Sequence, residues 1–238
     1  MPLTFLSQTS SSPRIKRVSS FQELVSTPFA EGVNALCWER DLVGDFAEVV
    51  EKLAVGEGIN GLDEDQLRSL DLSEAGKVAI EVMLEDLRLL REHGLAPELN
   101  CILHYPRDED PDVVRTDVYS FHADRAPVEA DTYLCTYHGP SSEGLANEEA
   151  LKRVEIPETR AELLELFGGE DDEGFLEFLS ENSFDLHYAP TPDARPFSFG
   201  LGNLWRIAVD YPDSPVPPCV HRAPDTFPGD PARLLLIS

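Results

Sequence analysis

The sequence predicts an α+β protein in which a helical layer comes first and a β-sandwich or barrel follows. Three observations carry this. Two stretches before residue 94 place apolar residues at helical spacing. After Pro97 the chain breaks into short aromatic and β-branched runs, each cut off by Gly, Pro or Asp. These runs resume beyond an acidic helix-forming stretch and close the chain, whereas a parallel α/β sheet would need a helix between successive strands.

Residues 1–20 are rich in Ser and Thr with a basic cluster (Arg14, Lys16, Arg17), and read as a mobile N-terminal arm before a single domain over 21–238. Residues 34–40 form a short strand. Residues 42–53 carry Leu42, Phe46, Val49, Val50 and Leu53 on one helical face and stop before Gly56. The longest helix spans 75–93, with Ser73 as N-cap, Gly94 as C-cap and a stripe of Val78, Val82, Leu87, Leu89 and Leu90. Met83 beside that stripe reads as core filler. Strands follow at 100–105, 116–122 and 131–138, the first two separated by a charged loop at 108–111. Residues 140–195 are strongly acidic, with helices at 159–167 and 175–179. They read as an insertion, either a lid over a site or a solvated surface excursion. Strands return at 197–200, 203–209, 219–221 and 233–237, and no internal repeat is visible.

The 238 residues suffice for a sizeable core. A formal net charge of −26, from 45 acidic and 19 basic residues, repels phosphate backbones and anionic membranes, so no nucleic-acid partner is expected. The acidic, lysine-poor surface suits salty surroundings, with ordinary solubility as the alternative. No apolar run reaches transmembrane length, and residues 1–6 lack the charge and apolar core of a signal peptide. Four cysteines without a C-x-x-C suggest a reducing cytoplasm.

The chemistry-bearing stretch is Phe121-His122-Ala123-Asp124. On an extended strand, side chains two apart share a side, so His122 and Asp124 can converge on one ion. His221, on a late strand, is the candidate third ligand. Two imidazoles and one carboxylate on one face of an octahedron suit Fe(II) and leave three positions open. Arg233, opening the run Leu234-Leu235-Leu236-Ile237, supplies a directional cation for the distal carboxylate of a 2-oxoacid cosubstrate. Tyr133 offers a hydroxyl to the same group. Arg222, beside His221, should face the other way. Cys219, two before His221, should face the same side and offers a softer, zinc-like donor, with packing as its plainer role. His93, His104, His138 and His187 read as surface or hydrogen-bonded residues, with His138 nearest the proposed site. No G-x-S-x-G, H-E-x-x-H, Walker loop or complete dinucleotide fingerprint occurs.

These residues resemble the Fe(II)/2-oxoglutarate-dependent oxygenase superfamily. More narrowly, the chain resembles the bacterial family called domain of unknown function 1826. The matching segments are Asn34…Trp38…Arg40, Phe121-His122-Ala123-Asp124, Thr136-Tyr137-His138-Gly139…Glu143, His221-Arg222-Ala223-Pro224 and Arg233-Leu234-Leu235-Leu236, across residues 33–237. Ala223 stands where the family has serine. The resemblance implies a double-stranded β-helix (jelly-roll) core, with His122, Asp124 and His221 on Fe(II) and 2-oxoglutarate as cosubstrate. The expected activity is oxidation of an unknown small-molecule or peptide substrate by a cytoplasmic dioxygenase-like oxidoreductase. The alternative is a metal- or ligand-binding cupin-like protein without turnover. A protein with no metal would instead hold the three ligands far apart.

Overall fold

A computed structural model describes residues 14–107, 113–227 and 229–238. In chain order the elements are β1 (Ile15–Val18), α1 (Phe21–Ser26), β2 (Ala35–Trp38), α2 (Phe46–Lys52), β3 (Ile59–Leu62), α3 (Glu64–Arg68), α4 (Glu74–Glu92), β4 (Glu98–Ile102), β5 (Phe121–His122), β6 (Asp131–His138), β7 (Glu143–Leu145), β8 (Ala150–Lys152), α5 (Pro157–Phe167), α6 (Glu173–Glu181), β9 (His187–Pro190), β10 (Phe197–Ser198), β11 (Leu204–Ala208), β12 (Val220–Arg222) and β13 (Arg233–Ile237). The chain is α+β with two sheets. A seven-stranded sheet runs β1-β2-β11-β6-β13-β4-β3, and a six-stranded sheet runs β10-β7-β12-β5-β9-β8.

Strand alternation sorts the large sheet into two faces. Tyr133, Cys135 and Tyr137 of β6, with Leu234 and Leu236 of β13, join the core under the N-terminal helices. Leu134 and Leu235 turn the other way, into a second core with Trp205, Phe199 and Cys219. Cys219 leads into β12 of the small sheet, so this second core lies between the sheets. Phe121, Ala123, Tyr188 and Val220 form the outer face of the small sheet. Its other face, carrying His122 and His221, is therefore turned inward.

α4 is the expected helix. Ser73 caps it by accepting from the Gly76 N–H (3.2 Å), and Gly94 follows at φ 88°. Its buried face is rotated from the expected stripe: Ala79, Ile80, Met83, Leu84, Leu87 and Leu90 are buried, while Val78 is exposed. The rotation brings Asp86 inward, where a bidentate pair with Arg40 (2.6 and 2.8 Å) and the Tyr137 hydroxyl (2.7 Å) satisfies it. Arg40 also donates to the Gly202 carbonyl (2.9 Å) and lies over the Trp38 ring. This bolt joins α4, the end of β2, β6 and the loop before β11. It gives the spacing of Trp38 and Arg40 a structural reason.

Several expectations change. The arm ends earlier than residue 20: Ile15–Val18 pairs with β2 in parallel register, and residues 1–13 lie outside the described residues, as does the loop at 108–111. The strand expected at 116–122 shrinks to Phe121–His122, because Asp117 starts a turn closed by the Ser120 N–H on its carbonyl (3.1 Å). The segment 140–195 is not one insertion. β7, β8 and β9 belong to the small sheet, and the helical excursion is confined to the stretch between β8 and β9. β3 and α3 had no sequence expectation.

Removing the Asp86 carboxylate leaves a buried guanidinium and a buried phenol without their acceptor. Asp86→Ala should lower unfolding free energy by about 3–5 kcal/mol in urea denaturation. A loss no larger than that of an exposed acid such as Glu81→Ala would show that the bolt is not stabilising.

Candidate metal centre

The antiparallel register places His221 of β12 directly opposite His122 of β5. Directly paired residues project to the same face, so two residues 99 positions apart become neighbours with ring centroids 4.6 Å apart. Asp124, two beyond His122, completes the group. Its carboxylate lies 4.0 Å from His122 Nε2 and 3.8 Å from His221 Nε2. One ligand atom from each residue falls within 4.8 Å of the others, so the three could hold a metal ion.

The hydrogen bonds around the triad select the ligand atoms. His122 Nδ1 faces the Ser120 carbonyl at 2.7 Å and His221 Nδ1 faces the Cys219 carbonyl at 3.3 Å. Each Nδ1–H is thereby used, which leaves the Nε2 lone pairs for an ion. Burial, then the neighbouring His221, pushes His122 down to about 4, so its imidazole is neutral near pH 7. Burial works to raise Asp124, but His221, the Thr132 hydroxyl and His122 outweigh it and hold the carboxyl below its usual range. Thr132 Oγ1 donates to Asp124 Oδ2 at 2.6 Å and fixes the carboxylate. The donor set is two imidazoles with free Nε2 atoms and one oriented carboxylate.

Arg233 is 1% exposed. It donates to the Tyr105 hydroxyl (3.0 Å), Ser142 Oγ (2.9 Å) and Thr136 Oγ1 (3.4 Å). Thr132, Leu134 and Thr136 share one face of β6, so Arg233 and the Asp124 carboxylate engage the same inter-sheet face. The four-residue separation of the two threonines spans about 13 Å along the strand. No carboxylate meets Arg233 among the described residues, and its Nε is buried without an acceptor. Burial pulls its pKa below the ordinary arginine value. A buried guanidinium without a counter-charge is a group that an anion would stabilise.

The structure does not bring Tyr133 to this group. Alternation along β6 sends Tyr133 into the helix-side core, opposite to Thr132, and burial pushes its hydroxyl up to about 12. Tyr105 is the phenol beside Arg233. Arg222 faces away from the triad, as expected, and pairs with Glu143 while stacking on Phe121. Cys219 packs in the inter-sheet core. Burial and then Asp124 push its thiol up to about 12, and it does not join the converging ligand atoms. His138 contacts the Ala232 carbonyl at 3.1 Å, whereas His187 is the further histidine beside the triad, directly paired with His122 and 5.8 Å from it by ring centroids. Sequence reasoning missed His187 because its strand lay inside the presumed insertion. It missed Thr132 because nothing local links that hydroxyl to a carboxylate eight residues earlier.

Gly139 sits at φ 80°, and a Cβ there would meet the Ala232 carbonyl oxygen at 2.7 Å and Arg233 Cα at 3.0 Å. The glycine lets β13 enter close to the end of β6 and so sets the depth of Arg233. Arg125, next to Asp124, ties the site rim to the helical excursion through Asp185 (2.6 Å) and Ser180 (2.8 Å), and to the end of β11 through Asp210 (2.9 Å).

Comparisons of the chain with protein-family models, with curated proteins and with solved structures returned no match. Among the described residues, no helix is long and apolar enough to cross a membrane.

His122→Ala should abolish stoichiometric binding of a divalent metal while circular dichroism stays unchanged, and a variant that retained one equivalent of metal would exclude the triad. Thr132→Val should weaken metal affinity by about 10–100-fold, the usual effect of losing a group that orients a ligand. Competition with a chelating dye measures both.

Proposed function

We propose that this protein is a non-haem Fe(II)/2-oxoglutarate-dependent oxygenase, with its two sheets forming a jelly-roll core. The reading rests on one observation: a His-Asp-His group with free Nε2 atoms shares the inter-sheet face with a buried arginine that lacks a counter-anion. The donor set suits a divalent iron ion, being mixed nitrogen and oxygen with no thiolate. Arg233 suits the distal carboxylate of a 2-oxoacid, since charge-assisted pairing would supply the acceptor that its Nε lacks.

With Fe(II) bound, the group supplies the oxidising chemistry, in which 2-oxoglutarate, O₂ and a substrate C–H bond yield succinate, CO₂ and a C–OH bond. The chain supplies position. His122, Asp124 and His221 would occupy one side of the ion and leave the remaining positions to cosubstrate and O₂. Thr132 holds the Asp124 carboxylate, and the Ser120 and Cys219 carbonyls hold the two imidazoles. Arg233, with Tyr105, Ser142 and Thr136, would fix the far end of the cosubstrate. The surrounding apolar residues, Leu134, Leu235 and Trp205 among them, limit water on that face.

An anaerobic titration of the apoprotein with Fe(II) and then 2-oxoglutarate tests this reading. A visible charge-transfer band should require both additions and be lost in Arg233→Ala. Iron binding without the band would overturn the oxygenase reading in favour of a metal-binding jelly roll without turnover.

A further inference from the structure

The small sheet carries a row of polar residues beyond the triad. His221 pairs with His122, and His122 pairs with His187. The β8–β9 register sets Lys152 opposite Tyr188, and Arg153 follows at the start of a 3₁₀ turn (Arg153–Glu155), where the strand pairing ends. The row thus reads His221, His122, His187 across three adjacent strands, with Arg153 just past the end of β8, the strand next to β9.

Arg153 is unusual in so acidic a chain. Arg14, Arg40, Arg160, Arg206 and Arg222 are all at least partly buried, and each meets a carboxylate. Among the described residues, Arg153 and Arg233 are the partly or fully buried arginines that meet none, and both have a buried Nε without an acceptor. Arg233 has a role in the oxygenase reading, whereas Arg153 does not.

Asp117 is its counterpart. The buried acids among the described residues are Asp86 and Asp117. Asp86 meets Arg40, but no cation meets Asp117. Asp117 Oδ1 accepts from the Tyr119 N–H (3.2 Å), while its Oδ2 is buried without a donor. It begins the turn whose Ser120 carbonyl orients His122. His187 sits between the two groups. Its Nδ1 faces the Ser183 carbonyl at 2.8 Å, its ring contacts the backbone of Thr116, and it feels the charges of both Arg153 and Asp117. One cation and one anion, each lacking a counter-charge and not paired with each other, therefore flank the histidine row beside the metal centre. A ligand carrying both opposite charges would satisfy both.

We propose that Arg153 and Asp117 form the substrate subsite and take a free α-amino acid, its carboxylate on Arg153 and its ammonium on Asp117. His187, which pairs directly with His122, lies on the way to the triad, so the amino-acid side chain is left to reach toward it. This rests on the oxygenase reading for its chemistry, but the binding does not depend on turnover.

The test uses zinc-loaded protein, which is redox-inert, and isothermal titration with each of the twenty L-amino acids. Each binder is compared with its analogues lacking the amine or the carboxylate. At least one amino acid should bind, and removing either charged group should weaken it at least tenfold. Arg153→Gln and Asp117→Asn should each weaken it at least tenfold without changing zinc stoichiometry, which also reports that the variants fold, and Arg153→Lys should recover part of the loss. Absence of binding by any of the twenty, or binding indifferent to both substitutions, overturns the proposal. A parallel titration with 2-oxoglutarate separates the two readings. Amino-acid binding that depends on Arg153 without 2-oxoglutarate binding upholds the subsite and removes the oxygenase. The reverse result removes the subsite alone.

Discussion

The pairing of β12 with β5 is the constraint on which the site depends. One register position sets His221 against His122, and the strand period then places Asp124 on the same side. A slip by one residue would turn His221 outward beside Phe121 and Tyr188, and Val220 inward. The register is held from the outer face of the sheet. Val220 is fully buried on the outer face, and Arg222 is clamped by Glu143 of β7 and by the Phe121 ring. Packing on the face away from the site thus fixes the geometry on the face that carries it.

Charge balance is the second theme. The protein has far more carboxylates than cations, so its buried arginines can readily find partners. Arg40 does so at Asp86 and locks the helical layer to the large sheet. Arg206 does so at Asp131, and also donates to the carbonyls of Leu24, Val25 and Thr27 at the end of α1, a position where positive charge is favoured. Burying a cation without an anion costs several kcal/mol unless hydrogen bonds or a ligand offset it. Arg233 stands apart for that reason, held by three hydroxyl groups instead of a carboxylate.

Part of this was legible in the chain. β6 and β13 appear at the expected residues, and α4 with its Ser73 cap and Gly94 stop lies within a residue of its expected span. These elements have long, strong local patterns, with alternation or helical spacing bounded by capping residues or glycine. His122, Asp124 and His221 were legible as a converging group because residue type and order narrow the chemistry. The misses share a cause. Tyr133 was assigned to the site from its residue type, but alternation along β6 sends it to the opposite face from Thr132. The acidic composition of 140–195 hid three strands, each too short to show a period and stabilised by its neighbours in the sheet. Asp86 was overlooked on α4 because a carboxylate on a helix ordinarily faces water, and Arg40 comes from another part of the chain to receive it.

The sequence by itself determined the α+β character, the order of the helical and β layers, and the residue types available for metal and anion binding. These follow from local periodicity, capping and side-chain chemistry, which need no distant partner. The tertiary structure alone decided which residues meet. It set His221 against His122 across 99 positions, brought His187 rather than His138 beside them, gave Asp124 its hydroxyl donor, and left Arg233, Arg153 and Asp117 without counter-charges. Register, strand face and burial decide such contacts, and all three depend on how distant strands pair.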